Sequence, residues 1–282
     1  MCMKFKYLGT AASEGIPGFF CNCDNCKKAL QEGGRSIMTR SQAIIDNKIL
    51  IDYGADTYMH FLKMGKTLSD IGYLLLTHSH EDHFSYSEWF NRYYGNAYNI
   101  RYDKLKIFGH RTAFERIKKV IEDKGVLLVD VKEKFEFVEI EIYKPFSIED
   151  YKITPLPALH MDDEQALIYL IEKNGKSIFY GNDTGIFTQE IDYYLLKNNV
   201  KIDFLSLDCT KGDYPATYES HLSMAEGYDI KERFRKVGAV DENTKKYYTH
   251  FTHNCKMTYP DLCKAATKYG FEVAYDGLEI DI

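Results

Sequence analysis

Thr77-His78-Ser79-His80-Glu81-Asp82-His83 follows the apolar run Ile71-Gly72-Tyr73-Leu74-Leu75-Leu76, and this junction decides how the chain is read. A strand that ends in a tight loop can turn ligands two residues apart toward one point. Asp82 and His83 can then face a second point nearby. Imidazole and carboxylate suit Zn, Mn or Fe and leave room for water. The spacing is i, i+2, unlike the i, i+4 of the helical H-E-x-x-H arrangement. Chance explains it poorly, because the chain has 9 His in 282 residues and three of them fall within six positions beside an acid.

Outward from this loop, β-rich runs stand at Lys4–Leu8, Gln42–Asp46 and Lys48–Tyr53, the last two parted by Asn47 as in a hairpin. Helices are expected over Asp56–Lys63 and Thr112–Lys124, the second with Phe114, Ile117, Val120 and Ile121 as its apolar face. The aromatic stretch Phe84–Tyr94 also reads as helical. Further strands are expected at Lys104–Phe108, Val126–Val131, Phe135–Ile142, Tyr151–Leu156, Ala166–Glu172 and Ser177–Tyr180. Asn174-Gly175, between the last two, suits the positive φ angles of a type I′ turn. Helix Gln189–Lys197, strand Phe204–Asp208, helix Leu222–Arg235, strand Lys246–Thr249, helix Pro260–Lys268 and a strand near Phe271–Ala274 follow. No linker or low-complexity segment intervenes, so residues 1–282 are read as one domain. Two strand-rich blocks with interleaved helices predict an α/β fold, a four-layer αββα sandwich. His160, Asp183, His221, His250 and His253 each follow or border a predicted strand, where chain ends gather at one edge of the sheets.

Bulk properties narrow the function. The formal charge of −6 argues against a dedicated nucleic-acid binder, which carries a basic stripe. No apolar run approaches the ~20 residues that span a bilayer, and the N-terminal residues lack the pattern of a secretory signal. The expected location is the cytoplasm, where thiols stay reduced. Among seven Cys, Cys21, Cys23 and Cys26 fall within six residues. Three thiolates call for a fourth ligand to close a tetrahedron around Zn, and free thiols are the alternative.

The metal loop, with Gly9-Thr10, Leu50-Ile51-Asp52-Tyr53-Gly54, Pro157-Ala158-Leu159-His160 and Gly181-Asn182-Asp183-Thr184, resembles the metallo-β-lactamase superfamily. Within it the chain is most similar to the carbon–phosphorus lyase accessory phosphodiesterases, which hydrolyse cyclic phosphates. Gly15-Ile16-Pro17 ahead of the Cys triplet carries that likeness, with Asp208-Cys209-Thr210, Ser220-His221, Thr249-His250-Phe251-Thr252-His253 and Tyr275-Asp276-Gly277-Leu278-Glu279-Ile280. The resemblance implies two divalent metal ions, Zn or Mn. His78, His80 and His160 would hold one, Asp82, His83 and His250 the other, and Asp183 would bridge them. Asp52 would accept an imidazole N–H behind the loop; a turn-forming Asp is its plainer reading. His253 would complete a structural Zn site with Cys21, Cys23 and Cys26, Cys255 being the competing fourth ligand.

Two cations sharing a water lower its pKa from 15.7 toward ~7. His221, matching the family's active-site histidine, is the candidate acid for the leaving oxygen, and a polar residue before a helix is the alternative. Asp82 could also orient the nucleophile. The expected substrate is a small phosphodiester, a cyclic sugar or nucleotide phosphate among the options; a homodimer is left open. The rivals are a cofactor-biosynthesis protein of the pyrroloquinoline-quinone B family and a tRNA 3′-processing endonuclease. Asn91–Tyr102, with Arg92 and Arg101 among tyrosines, matches no family motif and is expected to border the pocket.

Overall fold

A computed structural model describes residues 2–93, 95–123, 132–214 and 219–282. Strands β1 (Lys4–Gly9), β2 (Gln42–Ile45), β3 (Ile49–Ile51), β4 (Tyr73–Leu75), β5 (Leu105–Gly109) and β6 (Phe135–Glu139) come first. Strands β7 (Phe146–Ile148), β8 (Tyr151–Pro157), β9 (Leu167–Lys173), β10 (Lys176–Gly181), β11 (Phe204–Asp208), β12 (Lys245–Thr249), β13 (Glu272–Val273) and β14 (Glu279–Asp281) follow. They form two seven-stranded sheets, in the orders β14-β1-β2-β3-β4-β5-β6 and β13-β12-β11-β10-β9-β8-β7.

The apolar runs are long because both faces of each sheet are covered. In β9, Leu167, Tyr169 and Ile171 point into the space between the sheets, where they meet Phe5, Tyr7, Ile45 and Ile51. Ile168 and Leu170, on the opposite face by the period of two, pack with Ile191, Leu195, Ile230, Phe234 and Leu262 from the outer helices. The first sheet is covered likewise: Leu50, Leu74 and Ile107 lie against Phe61 of helix Thr57–Lys63 and Phe114, Ile117 and Ile121 of helix Arg111–Asp123. Three apolar clusters between four layers make an αββα sandwich. Among the described residues no helix is long and apolar enough to cross a membrane.

Local chemistry places the turns where the sequence marks them. Asp46 and Asn47 have φ of 48° and 54°, and Asn174 and Gly175 have 52° and 74°, the paired left-handed residues of a tight hairpin. Two readings need correction, and one lies out of reach. The described residues of the stretch Phe84–Tyr94 form no α-helix; Tyr86–Arg92 is a 3₁₀ helix, whose three-residue repeat brings Tyr86 and Trp89 onto one apolar cluster. Cys26 lies in helix Asp24–Glu32, with Cys23 at its N-cap position, whereas the Gly and Asn around the cysteine triplet predict a loop. The strand expected at Val126–Val131 lies outside the described residues.

Candidate metal centre

Strands β3 to β6 run parallel, as do β10 to β13, so their carboxyl ends share one rim. Ligands in open α/β sheets bind at such a rim. Asp52 follows β3, His78–His83 follow β4, His160 follows β8, Asp183 follows β10, Asp208 ends β11 and His250 follows β12. Asp52, Asp183 and His250 adopt left-handed φ of 64°, 52° and 62°. Non-glycine residues seldom hold that conformation, and it clusters where a site over-determines the backbone.

Every sequence-predicted ligand is brought together. The Nε2 of His78 lies 3.0 Å from Nδ1 of His80, which lies 3.2 Å from Nε2 of His160. Asp183 Oδ2 stands 3.3 Å from His78 Nε2 and 3.0 Å from His83 Nε2, and Asp183 Oδ1 stands 3.2 Å from His160 Nδ1. Asp82 Oδ2 is 3.3 Å from His83 Nε2, and His250 Nε2 is 3.7 Å from Asp183 Oδ2. Four ligands at 2.0–2.1 Å around one ion stand about 3.3 Å apart, close to these separations. His83 Nε2, His250 Nε2 and Asp183 Oδ1 are also buried without a properly directed hydrogen bond among the described residues. Lone pairs that converge on a common point instead of on each other fit a bound metal ion.

The opposite ring nitrogens are held from behind. His83 Nδ1 lies 2.7 Å from Asp52 Oδ2, and Asp52 also accepts from the Thr77 amide at 2.8 Å and its hydroxyl at 2.9 Å. His78 Nδ1 meets Thr77 Oγ1 at 3.0 Å. Between the two ligands, the Ser79 amide and hydroxyl both donate to the buried Glu164. Burial pushes the His78, His80 and His160 imidazoles down, which favours the neutral form that ligates metal. Burial would raise Asp183, but the imidazoles of His250, His83, His160 and His78 hold it well below the carboxylate range. For His83 the balance reverses: burial lowers it, and Asp82 and Asp52 outweigh that.

His221 faces the same cleft, a hollow of about 580 Å³ that reaches His80, Asp82, His160, Asp183 and His250. Its Nδ1 lies 3.1 Å from Asp208 Oδ2 and 3.2 Å from Asp183 Oδ1. Burial lowers its pKa, yet Asp208 outweighs this and pushes it up to about 9. Asp208 went unassigned on sequence grounds. Asp183, Asp208, His221 and His250 are also close enough to form a ligand group of their own. Asp208, however, already accepts from the Thr210 amide at 3.0 Å, the Thr210 hydroxyl at 3.0 Å and the Leu222 amide at 2.8 Å. That makes it an orienting carboxylate. Its signal was available: an acid closing an apolar strand, as Asp52 does after β3. Arg92 and Arg101 do not border this cleft. Arg92 and Tyr98 line a separate apolar hollow with Phe61 and Leu68, because the 3₁₀ helix carries the segment over the outer face of the first sheet.

Cys21, Cys23, Cys26 and His253 form a second group. The Sγ atoms of Cys21 and Cys23 each lie 3.6 Å from His253 Nδ1. Zn–S and Zn–N bonds at tetrahedral angles put S and N about 3.6 Å apart. The Cys26 amide bonded to Cys23 pulls that thiol down to about 6, whereas burial pushes Cys26 up to about 12. Cys255 is buried and does not belong to the group among the described residues.

Such a rim of His and Asp on an αββα sandwich defines a metallo-hydrolase fold. Residues 47–251 match the family model described as the beta-lactamase superfamily domain, and the chain belongs to that superfamily. It is 23% identical over 269 residues to a ribonuclease Z of Picrophilus torridus, covering 88% of this chain and 78% of that protein. Among solved structures, a diphosphatase from the PhnP family superposes with a TM-score of 0.75 at 18% identity, over 99% of this chain and 98% of that one. Zn(2+)-bound PqqB from Methylobacterium extorquens superposes with a TM-score of 0.72 at 16% identity, over 99% and 100%. At such identities these two likenesses speak for the fold alone.

Proposed function

We propose that the chain is a metal-dependent phosphodiesterase of small substrates, with His78, His80 and His160 on one metal ion, Asp82, His83 and His250 on a second, and Asp183 shared. The supporting observation is the convergence of seven side chains, from four separate strand ends, at ligand-to-ligand distances near 3.3 Å. Zn or Mn bound there would supply a water ionised at neutral pH and would neutralise charge on a phosphoryl oxygen. The remaining work belongs to the chain. Asp52 fixes the His83 tautomer so that Nε2 keeps its lone pair toward the cleft. Asp208 and Thr210 hold the Nδ1 side of His250, at 3.2 Å and 2.8 Å. His221, oriented by Asp208 through Nδ1, gives its Nε2 proton to the departing alcohol oxygen. Cys21, Cys23, Cys26 and His253 would hold a structural Zn, which would pin the N-terminal segment to the loop after β12; four protein ligands would leave no position for substrate.

Purified protein loaded with Mn or Zn should hydrolyse bis(p-nitrophenyl) phosphate, and His80→Ala should abolish turnover. Inertness toward every phosphodiester despite two bound metals would move the reading to the cofactor-biosynthesis class. A ribonuclease reading has the Picrophilus relative in its favour. Cleavage of a structured RNA faster than of any small diester would establish it instead.

A further inference from the structure

The cleft is short of positive side chains. Besides the ligands and His221 its lining is uncharged apart from two carboxylates, Glu14 and Glu81, with no Lys or Arg among the described residues. Three nearby cations are already engaged, the first being Arg116, whose charge reaches His80 and which pairs with Asp163 at 3.0 Å. Lys211, its side chain 2% exposed, pairs with Glu226 at 3.1 Å. Arg40, in an adjoining hollow that shares Ser13, Glu81 and Asp82, pairs with Asp56 at 3.0 Å and donates to the Ser13 carbonyl at 2.8 Å. That adjoining hollow offers Ser85, Tyr86 and Ser87 instead, which suit uncharged hydroxyl-bearing groups. Glu14 is fixed in place by the Thr252 hydroxyl, and Glu81 is exposed on the rim.

We propose that the cleft is selective for charge: it accepts phosphodiesters whose only negative charge is the one at the reacting phosphorus, and Glu14 and Glu81 turn away substrates that bring further phosphates. The inference rests on the phosphodiesterase reading. Its physics is that of a cation-poor groove: polyanions are held by lysines and arginines, and here a second phosphate would meet carboxylates. A carboxylate a few ångströms from a remote phosphate, at a surface dielectric between those of protein and water, changes relative kcat/KM about tenfold.

The test compares two probes with the same leaving group, on protein loaded with Mn. One is the p-nitrophenyl ester of thymidine 5′-phosphate, and the other is the same ester carrying a 3′-phosphate. The unphosphorylated probe should be preferred about tenfold in kcat/KM, less so as potassium chloride is raised, because salt screens the repulsion. Glu14→Gln with Glu81→Gln should erase most of that preference. Equal kcat/KM for the two probes, or a preference that survives both substitutions, would overturn the charge selection while leaving the phosphodiesterase standing. Inertness toward both probes and toward bis(p-nitrophenyl) phosphate would overturn the phosphodiesterase reading itself, and the selection with it.

Discussion

Replacing Asp52 by Asn changes one carboxylate oxygen into an NH2 group and removes a buried negative charge, while the shape of the side chain is kept. Asn tolerates the left-handed backbone at this position, where φ is 64°. Its remaining oxygen can still accept from the Thr77 amide, now 2.8 Å away. The damage falls on His83, whose Nδ1 lies 2.7 Å from Oδ2. An amide NH2 there would face an N–H, so the ring must either break that contact or shift its proton to Nε2. A proton on Nε2 points into the metal cluster and removes a ligand lone pair. Partners of this kind change metal affinity about 10–100-fold, or roughly 1.4–2.7 kcal/mol. The loss should fall on one of the two metals only. Competition with a chromophoric chelator should therefore show one ion released early and the other held as in the parent protein. Asp52→Asn protein that holds both ions with unchanged affinity would refute the reasoning.

Gly54→Ala should cost on the order of 100-fold in kcat/KM with the fold intact by circular dichroism, since a Cβ there would sit 2.0 Å from the Asp82 carbonyl oxygen and push the metal loop aside; activity within twofold would contradict it. Gly18→Ala should lower Zn content toward two metals per chain, because its Cβ would meet His253 Cδ2 at 2.9 Å, and retention of the third metal by elemental analysis would argue against the Cys site. His60, buried between Gln42 and Thr39 at 2.6 Å each, has its pKa pushed by burial from 6.5 down to about 4. The unfolded chain binds that proton first, so stability should fall by roughly 3 kcal/mol as pH drops from 6.5 to 4. Urea titrations across that window should show the loss in the parent and a flatter profile in His60→Gln; parallel profiles would remove His60 as the cause.

Much of this was legible in the sequence because ligand chemistry and strand periodicity coincide. An apolar run followed at once by His78-x-His80-x-Asp82-His83 marks both a buried strand and the rim where it ends. Hairpins at Asp46-Asn47 and Asn174-Gly175 declare themselves through residues that tolerate positive φ. Short edge strands were not legible: β7 and β14 are three residues each, too brief for a period of two to register. Helix Asp24–Glu32 buries only Asn25, Cys26 and Ala29, leaving no apolar stripe to read. Glu164 acts through Ser79, at a position that only the folded packing brings near the metal loop, so spacing along the chain could not assign it; Asp208 does carry a mark, as the acid that closes an apolar strand.

Anomalous diffraction from crystals of the metal-loaded protein bears most directly on the shared-carboxylate centre. Two peaks should flank Asp183, one contacting His78, His80 and His160 and the other Asp82, His83 and His250. A single peak held by Asp183, Asp208, His221 and His250, with the His78–His83 loop bare, would contradict it.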